Sequence, residues 1–474
     1  MHGQVLGSEV AELVGESGRR PFDAVVVGAG SAGLTAARTL AESGFTVALL
    51  EAGPAPFLTH LTNTEVRFTR DLDRSIRGRV QYSPRLPDGE AFGRNYSCFG
   101  GRGLFWNGSA PRFQDHDFAG WPFDPSELDE HYAWAEREFR VTTKLGETAL
   151  AKRLIEDLRG GGFDAIPGPF AVDLAPLGNG HLSAGIASCL APFFRGAGRW
   201  LAEGRIRLAI GCRAQRVLLD GDHARGVVAV QGADGGSHEI LARTVLLAAG
   251  GIESIRIAAL SGVPDAEGNI GRGIQDHIFY RCYFEGPQIY DSTAPETAAL
   301  HIPSESQNLE QWELQAPGRR MFTMDSGSAW SPGPGPKYHV MIRSFGATEK
   351  RPENRVESQE GPLGSATVHF SYSEKDEELK SRIRQRAVEV GGAMGLVLAE
   401  DRLSGPGSSY HEAGGLDMGT DPSASVTDAR GRFHTVENLL SVDAASFPSI
   451  GATNPHLTIV AESRRKCLAL AGER

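Results

Sequence analysis

The sequence predicts an α/β fold in which a mainly parallel sheet is joined by an inserted α+β domain built on an antiparallel sheet. A strand, a glycine-rich turn, a helix and a second strand follow one another over residues 22–53. A further buried strand and helix are predicted over 244–260, and two strands with a long helix over 338–400. Strands that alternate with helices favour a parallel sheet, whereas strands grouped beside one helix favour an antiparallel sheet.

Residues 22–53 carry the pattern of a dinucleotide-binding unit. The short apolar run 22–27 suits a strand that is buried on both faces. Glycines spaced G-x-G-x-x-G follow it, a helix is predicted over 31–43, and the apolar strand 46–50 ends at Glu51. Such glycines let the backbone approach a pyrophosphate, the helix directs its first N–H groups at the phosphates, and the acid accepts from a ribose diol. This order predicts a Rossmann-like dinucleotide site.

The middle of the chain contains a second glycine cluster and several short elements. The cluster, CFGGRGLFWNGSAPRF, spans residues 98–113. An acid-rich surface helix, three strands, a buried parallel-type strand and a short helix are predicted, in that order, at 124–140, 206–210, 213–219, 226–231, 244–249 and 253–260. Residues 141–190 show poor periodicity and are interpreted as an excursion or a separate subdomain.

The antiparallel sheet is predicted from strands at 338–345 and 366–372, followed by a helix over 373–400. The segment 286–337 is rich in Pro, Ser, Gly and Gln and is too long for a plain connector, so a lid, a subunit contact and disorder all stay open. The predicted domain parts are the dinucleotide-binding parts 20–125, 201–285 and 410–474, the excursion 126–200, and the second domain 286–409.

Composition and charge narrow the class of protein. The chain has 474 residues and a formal net charge of −11, which argues against a nucleic-acid or an anionic-membrane partner. Its five cysteines are scattered without C-x-x-C spacing, so neither a disulfide framework nor a metal site is expected. The first twenty residues lack the apolar core of a signal peptide and are expected to form a loose leader. The scattered cysteines favour a reduced, cytoplasmic protein. No segment reaches the length of a membrane span, and the possibility of an oligomer stays open.

The last 65 residues carry candidate catalytic groups. His411 stands in YHEAGGLDMG, and an apolar strand at 439–442 stops at Asp443. Asn454 and Pro455 then predict a helix start, because Asn is a good N-cap and Pro is preorganised at the first helical position. The N-terminal dipole of that helix suits an anionic group.

At this point the chain resembles the glucose–methanol–choline (GMC) family of FAD oxidoreductases, in family order and over nearly its whole length. The segments TVLLAAGGIESIRIAALSG and NLLSVDAASFPSIGATNPHLTI are similar to family segments, and GNIGRGIQDHIFY is similar to the family's G-x-x-L-x-D-H signature, with Ile274 in place of Leu. GGRGLFW is similar to the pyranose-oxidase branch, in which a histidine before the tryptophan carries flavin covalently. Phe105 stands there in this chain, so the resemblance implies noncovalent FAD.

The resemblance implies a Rossmann-like FAD-binding domain, an inserted substrate domain, and a set of site residues. The residues implied to bind FAD are Gly28, Gly30, Ser31 and Gly33 at the pyrophosphate, Glu51 at the ribose, Ala214 at the adenine, Gly100, Gly101 and Asn107 along the ribityl–flavin side, and Asp443, Ala444 and Pro455. His411 and Asn454 occupy the family's two catalytic positions. No metal is implied.

The implied reaction is oxidation of an alcohol to a carbonyl, with hydride passing to flavin N5. Histidine is the side chain whose pKa suits the hydroxyl proton near neutral pH, so His411 is the expected base and Asn454 is expected to orient the hydroxyl. The GGRGLFW stretch favours a sugar, a glycoside or a related polyol as substrate. Electrons then pass to oxygen or to another acceptor.

Several alternatives stay open at this stage. They are oxidative tailoring of a secondary-metabolite alcohol, a non-redox flavin lyase of the same fold, a noncatalytic FAD-fold protein and a nicotinamide-dependent dehydrogenase. Glu412 either tunes His411 or faces solvent. Asp276 and His277 are interpreted as structural hydrogen-bonding residues, and His456 as a packing residue.

Overall fold

The computed structural model describes residues 9–64, 70–174, 185–231, 236–286, 298–306, 309–316 and 340–473. The helices of these ranges are α1 (Val10–Arg19), α2 (Ser31–Glu42), α3 (Arg70–Val80), α4 (Asp129–Phe139), α5 (Ala149–Gly160), α6 (Leu190–Ala202), α7 (Gly251–Leu260), α8 (Glu374–Ala393) and α9 (His456–Gly472). The strands are β1 (Ala24–Val27), β2 (Val47–Glu51), β3 (Gln81–Tyr82), β4 (Asn95–Tyr96), β5 (Val141–Thr142), β6 (Ile166–Pro167), β7 (Phe170–Asp173), β8 (Gly185–Ile186), β9 (Ile206–Ile210), β10 (Cys212–Asp220), β11 (His223–Gln231), β12 (Ser237–Leu241), β13 (Val245–Leu247), β14 (His277–Glu285), β15 (Ala298–Ile302), β16 (Glu310–Ala316), β17 (Val340–Ala347), β18 (Arg355–Glu357), β19 (Thr367–His369), β20 (Val397–Leu403) and β21 (Leu439–Ser441).

A five-stranded parallel sheet in the order β21-β13-β1-β2-β9 forms the first core. Its central strands β1 and β2 are buried along their whole length, as expected of strands covered on both faces. Helix α2 follows β1 and packs against α6 and α9, and α9 also packs against α4. The strand–helix–strand pattern predicted at 22–53 is confirmed.

A six-stranded antiparallel sheet in the order β20-β14-β17-β16-β15-β6 forms the second core. Helix α8 packs on β14, β17 and β20, and helix α5 packs on β15. Side chains alternate along β14, so Ile278, Cys282 and Phe284 face these helices while Phe279 and Arg281 line a cavity on the other side. The two sheets confirm the predicted α/β fold with an antiparallel α+β part.

Two sequence predictions about local structure are wrong. The expected loose leader contains α1, whose Val10 and Leu13 are fully buried against the second hydrophobic cluster of the parallel-sheet half. The helix predicted over 373–400 ends at Ala393, since Gly395 adopts a left-handed φ of 70° and turns the chain into β20.

The predicted strand 366–372 is shorter, as β19, and pairs with β18 in a separate two-stranded sheet. Most of the proposed lid or arm at 286–337 lies outside the described residues, apart from β15, β16 and their flanks. The domain boundaries stay a prediction. Within 126–200, α4 and α6 pack against elements of the parallel-sheet half. No helix among the described residues has the length and apolar character needed to cross a bilayer.

Candidate active site

One cavity of about 330 Å³ runs from the glycine turn after β1 to the inner face of the antiparallel sheet. Most of the predicted site residues line it, namely Gly28, Gly30, Ser31, Glu51, Gly101, Asn107, Ala214, His411, Asp443, Ala444, Asn454 and Pro455. Gly33 and Gly100 are not among the residues that line it. The fold therefore gathers residues from both ends of the chain into one site.

The glycine turn forms a backbone wall at one end of the cavity. Gly28 has a φ of 101°, and a Cβ there would lie 2.4 Å from the carbonyl oxygen of Ala248. A Cβ on Gly33 would lie 1.8 Å from the Gly28 carbonyl oxygen, so glycine is what allows α2 to pack this close to the turn. Opposite, Gly101 approaches Gly30, since its Cβ would lie 3.2 Å from the Gly30 Cα.

The start of α2 is open to an anion. Its N-cap is Gly30, which has no side chain to satisfy the first N–H groups, and the first turn carries no acidic residue. Exposed N–H groups and the positive end of the helix dipole favour phosphate oxygens. Ser31 adds a hydroxyl, which hydrogen-bonds with His456 Nε2 at 3.2 Å.

Glu51 closes the end of β2 beside this turn. Its Oε2 accepts from the Ala29 N–H at 3.1 Å, and its Oε1 accepts from the Gly53 N–H at 2.8 Å. Burial raises the pKa of Glu51, although these hydrogen bonds oppose the rise. Oε1 also accepts from Ser97 Oγ at 3.5 Å, and the Glu51 carboxylate lines the cavity beside the turn.

Asp443 connects the last strand of the parallel sheet to α7. Its Oδ2 accepts from the Gly250 N–H at 2.8 Å and from Ser254 Oγ at 2.6 Å. Its Oδ1 accepts from the Ala445 N–H at 3.0 Å. These bonds hold the Asp443–Ala444 turn against the cavity.

The residues at this end fit FAD. The turn is free of side chains where a pyrophosphate would approach, the helix start offers unpaired donors, and Glu51 offers acceptors for a ribose. Ala214 lines the same cavity from β10.

His411 contacts a second buried histidine at the other end of the cavity. Its Nδ1 lies 2.9 Å from Nδ1 of His277, and His277 Nε2 lies 2.9 Å from the carbonyl oxygen of Gly451. A carbonyl only accepts, so a neutral His277 carries its proton on Nε2 and accepts at Nδ1. The Nδ1 proton of His411 fills that acceptor, which leaves His411 Nε2 as a lone pair.

Both histidines are held in the neutral form. Burial lowers the pKa of His277 to about 4. Burial also lowers the pKa of His411 well below 6.5, with further lowering by His277, Arg102 and His456. A neutral imidazole with a free Nε2 is the state that a general base requires.

Asn454 was predicted to be the N-cap of the last helix, and the structure gives its side chain a different partner. Helix α9 begins at His456 with Pro455 as N-cap, and the Asn454 side chain does not cap it. The N-cap prediction is therefore wrong by one residue. Instead, Gln311 Nε2 of β16 donates to Asn454 Oδ1, which leaves the Asn454 amide N–H groups as donors.

Three contacts fix the loop that leads to Asn454. His277 bonds the Gly451 carbonyl, while the Asp117 carboxylate accepts from the Ala452 N–H at 2.9 Å and from Thr453 Oγ1 at 2.6 Å. The His411 and Asn454 loops are thus connected through His277. Rigid placement of this kind is what reacting groups need.

Glu412 does not face solvent. It is 5% exposed and pairs through both oxygens with Arg102 of the glycine cluster, and Arg102 Nη1 also donates to the Tyr410 carbonyl oxygen at 2.6 Å. This pair binds the His411 loop to residues 101–104. Asp276 acts similarly, because Ser409 Oγ donates to it and accepts from the His411 N–H at 3.1 Å.

Aromatic rings line several parts of the cavity. At the His411 end, Phe345 lies 5.1 Å from the His411 ring and stacks on Phe279 at 4.7 Å. Elsewhere along the cavity, Trp106 stacks on His456 at 3.9 Å, and Phe105 stacks on Tyr96 at 4.6 Å. Phe345 and Phe279 give the His411 end an apolar wall.

Sequence reasoning missed Gln311, Phe345 and Arg343, and it saw no special role for His277. Gln311 lies in the segment 286–337, for which a lid, a subunit contact and disorder were all left open. Strand β14 contained one signal, because Arg281 interrupts a run of apolar residues in a largely buried strand. Strand pairing across distant segments, which brings these residues together, leaves no local pattern.

Comparison with known proteins shows which family models, proteins and folds this chain is similar to. Two models described as GMC oxidoreductase match residues 200–279 and 350–462, and one described as FAD dependent oxidoreductase matches residues 23–65. Paromamine 6'-oxidase of Streptomyces fradiae is 26% identical, over 96% of this chain and 92% of that protein. C-glycoside 3-oxidase of Microbacterium trichothecenolyticum is 26% identical, over 95% and 96%. The fold of pyridoxine 4-oxidase from Mesorbium loti matches with a TM-score of 0.67 at 18% identity, over 94% and 98%.

Proposed function

Because the chain belongs to the GMC oxidoreductase family and oxidises alcohol groups with FAD, we propose that His411 is its base and Asn454 the residue that orients the substrate hydroxyl. The observation that carries this proposal is the His411–His277–Gly451 chain, which leaves His411 Nε2 unprotonated at the cavity. The same cavity contains the glycine turn that fits the cofactor.

The oxidation removes a proton from the substrate hydroxyl and a hydride from the carbon that bears it, and the residues divide this work. His411 Nε2 takes the hydroxyl proton, and the positive charge that forms is shared through Nδ1–H with His277. The Asn454 amide donates to the hydroxyl oxygen, since its own oxygen is occupied by Gln311. FAD, when bound, supplies a hydride acceptor. Phe345 and Phe279 keep the walls apolar, which strengthens these polar contacts.

FAD is held without a covalent bond in this proposal. The residue before Trp106 is Phe105, a hydrocarbon ring stacked on Tyr96, and it has no atom for attachment to the flavin. Acid precipitation tests this directly. We expect all yellow colour in the supernatant, and colour that stays with the pellet would overturn noncovalent binding.

The substrate is a sugar, a glycoside or a related polyol, and oxygen or another acceptor takes the electrons. Support comes from relatives named as oxidases of paromamine and of C-glycosides. Polar side chains at the His411 end, including Asn107, Ser109 and Asn454, offer partners for several hydroxyls.

The test is anaerobic reduction of the FAD-loaded protein by sugars, polyols and simple alcohols, followed by visible absorbance. We expect bleaching by a polyhydroxylated alcohol, and none by the matched deoxy compound lacking the oxidised hydroxyl. A yellow protein that no alcohol bleaches would contradict the proposal and favour the non-redox lyase reaction. Failure to bind FAD at all would contradict the cofactor assignment.

A further inference from the structure

The Gln311 side chain links the Asn454 amide to the interior of the antiparallel sheet. Gln311 is fully buried on β16, and its Nε2 donates to Asn454 Oδ1. Its own oxygen, Oε1, is buried and lacks an aligned hydrogen-bond partner among the described residues. Buried amide oxygens are nearly always paired, because an unpaired one loses its bonds to water without replacement. The Gln311 oxygen therefore needs a donor from within the sheet.

A second buried atom without an aligned partner lies on the neighbouring strand. His301 of β15 is 3% exposed, and its Nε2 also lacks an aligned partner among the described residues. The strand register places His301 opposite Glu313, two positions along β16 from Gln311. Leu300 and Trp312 face the helix-covered core, so His301 and Gln311 share the opposite face of the sheet, as diagonal neighbours within reach of each other. A ring nitrogen and an amide oxygen are thus left to pair.

His301 carries a single ring proton near neutral pH. Burial lowers the pKa of His301 to about 4, and contact with the Gln311 side chain opposes this fall. A contact raises an imidazole pKa when a ring N–H faces an acceptor, so it is the Gln311 oxygen that faces the ring. A neutral ring that donates from Nε2 has a lone pair at Nδ1. Gln311 thus favours the tautomer of His301 with its proton on Nε2.

We propose that His301 is a positioning residue that sets the direction of the hydrogen bonds reaching the substrate. Its Nε2–H donates to Gln311 Oε1, the Gln311 amide donates to Asn454 Oδ1, and the Asn454 amide donates to the substrate hydroxyl oxygen. With the proton on Nδ1 instead, both amides would have to turn over, and Asn454 would present its oxygen to the substrate. The inference rests on the proposed function, in which Asn454 orients the hydroxyl, and identifies what makes Asn454 a donor.

The direction matters because the substrate oxygen gains negative charge as His411 removes its proton. An N–H group aimed at that oxygen stabilises the charge as it forms, whereas an amide oxygen at the same place repels it. His301 is not among the residues that line the cavity, so it acts through Gln311 and Asn454. Its loss should therefore slow flavin reduction more than it weakens substrate binding.

NMR of the histidine rings tests the tautomer without turnover. The FAD-loaded protein is labelled with ¹⁵N-histidine, and long-range ¹⁵N–¹H spectra are recorded near neutral pH. The ring signals that disappear in His301→Gln belong to His301, and we expect them to show a proton on Nε2 and none on Nδ1. A proton on Nδ1, or on both nitrogens, would overturn the proposal.

Two variants of His301 test whether its proton is used. His301→Leu removes the donor, and we expect the rate constant of flavin reduction to fall about 5- to 10-fold, with the substrate Kd changed less than about 2-fold. His301→Gln places an amide N–H near the lost Nε2 and should keep the rate within about 3-fold of the wild type. Equal losses in the two variants would overturn the proposal. If His301→Leu does not retain FAD, His301→Met takes its place.

His369→Leu is the matched control for these variants. His369 is half-buried on β19, pairs with Glu357, and is not among the residues that line the cavity. We expect this variant to reduce its flavin at the wild-type rate. An equal fall in His369→Leu and His301→Leu would show that loss of any histidine has this effect, and would overturn the proposal.

A double variant separates transmission through Gln311 from general packing. Gln311→Leu already disconnects His301 from Asn454, so adding His301→Leu to it should lower the rate by less than about 2-fold more. Independent packing losses would multiply to about 25- to 100-fold, and that result would overturn the inference while leaving the proposed oxidation intact. If no alcohol reduces the flavin of the wild type, the proposed function fails, and the ¹⁵N spectra still decide the tautomer of His301.

Discussion

At the dinucleotide end of the cavity the backbone forms the walls, whereas at the His411 end side chains from distant strands form them. The first end needs residues without side chains in a fixed order, and Gly28, Gly30 and Gly33 provide them within a few residues of chain. The second end needs His411, His277, Asn454 and Gln311, which come from four separate segments. The difference teaches that the glycine turn is set by contiguous residues of the chain, while the His411 end depends on the register of the tertiary structure.

The largest effect is expected from removing the base. His411→Ala should slow flavin reduction by a saturating substrate about 10²- to 10⁴-fold, because the proposed base is lost and the imidazole of His456, which also lines the cavity, is held by Ser31 and Trp106 instead. FAD should stay bound, since His411 belongs to the side-chain end. Anaerobic stopped-flow absorbance measures the rate, and a rate within a few-fold of the wild type would remove His411 from the mechanism.

A pair of glycine substitutions separates cofactor contact from protein packing. A Cβ at Gly30 meets no protein atom, so Gly30→Ala should fold normally and lose FAD affinity by about 10-fold or more through contact with the cofactor alone. Gly33→Ala places a Cβ 1.8 Å from the Gly28 carbonyl oxygen and should lower the free energy of unfolding as well.

FAD titration of the apoprotein, with its thermal unfolding, checks both glycine variants. Gly15→Ala is the control, since its Cβ would lie in open space on α1. If Gly30→Ala binds FAD like the wild type, the backbone wall is not where the cofactor lies.

His277 is expected to act through the tautomer of His411. His277→Leu removes the acceptor for His411 Nδ1–H and should lower the reduction rate constant about 10- to 100-fold with the substrate Kd little changed. His277→Asn puts an amide oxygen near the lost nitrogen and should recover part of the rate. Equal losses in the two variants would indicate that His277 only packs.

The smallest effect is expected at Gln311. Gln311→Leu keeps the size of the side chain and removes its bond to Asn454 Oδ1, so the Asn454 amide loses its fixed orientation. We expect a loss of about 5- to 10-fold in kcat/KM, which corresponds to one hydrogen bond. Steady-state kinetics measure it, and no change would mean that Asn454 is held by its backbone alone.

The sequence predicts much of the parallel-sheet half because its signals are contiguous. The run from Phe22 to Glu51 contains a strand, a turn, a helix and an acid whose mutual geometry is set by a few residues of chain. His411 and Asn454 were found through the family resemblance, and both line the cavity.

The antiparallel half could not be predicted to the same depth. Phe279 meets Phe345, and Arg281 meets Arg343, only because β14 and β17 pair in one register, and a shift by one residue would turn these side chains to the helix-covered face. The Asn454 N-cap prediction failed for a related reason. A distant strand offered Gln311 as a partner, and the helix began one residue after Pro455.

The most direct test of the account is the pH dependence of anaerobic flavin reduction by the wild-type enzyme. His277, Arg102 and His456 face His411, and burial with these neighbours holds the pKa of His411 well below 6.5. The base is active when neutral, so activity is present above that lowered pKa and is lost as the pH falls through it. We predict a rate constant that is flat from pH 8 down to 6.5 and declines only at lower pH. A rate that falls through an apparent pKa at or above 6.5 would show that His411 is charged near neutrality, and would contradict the account.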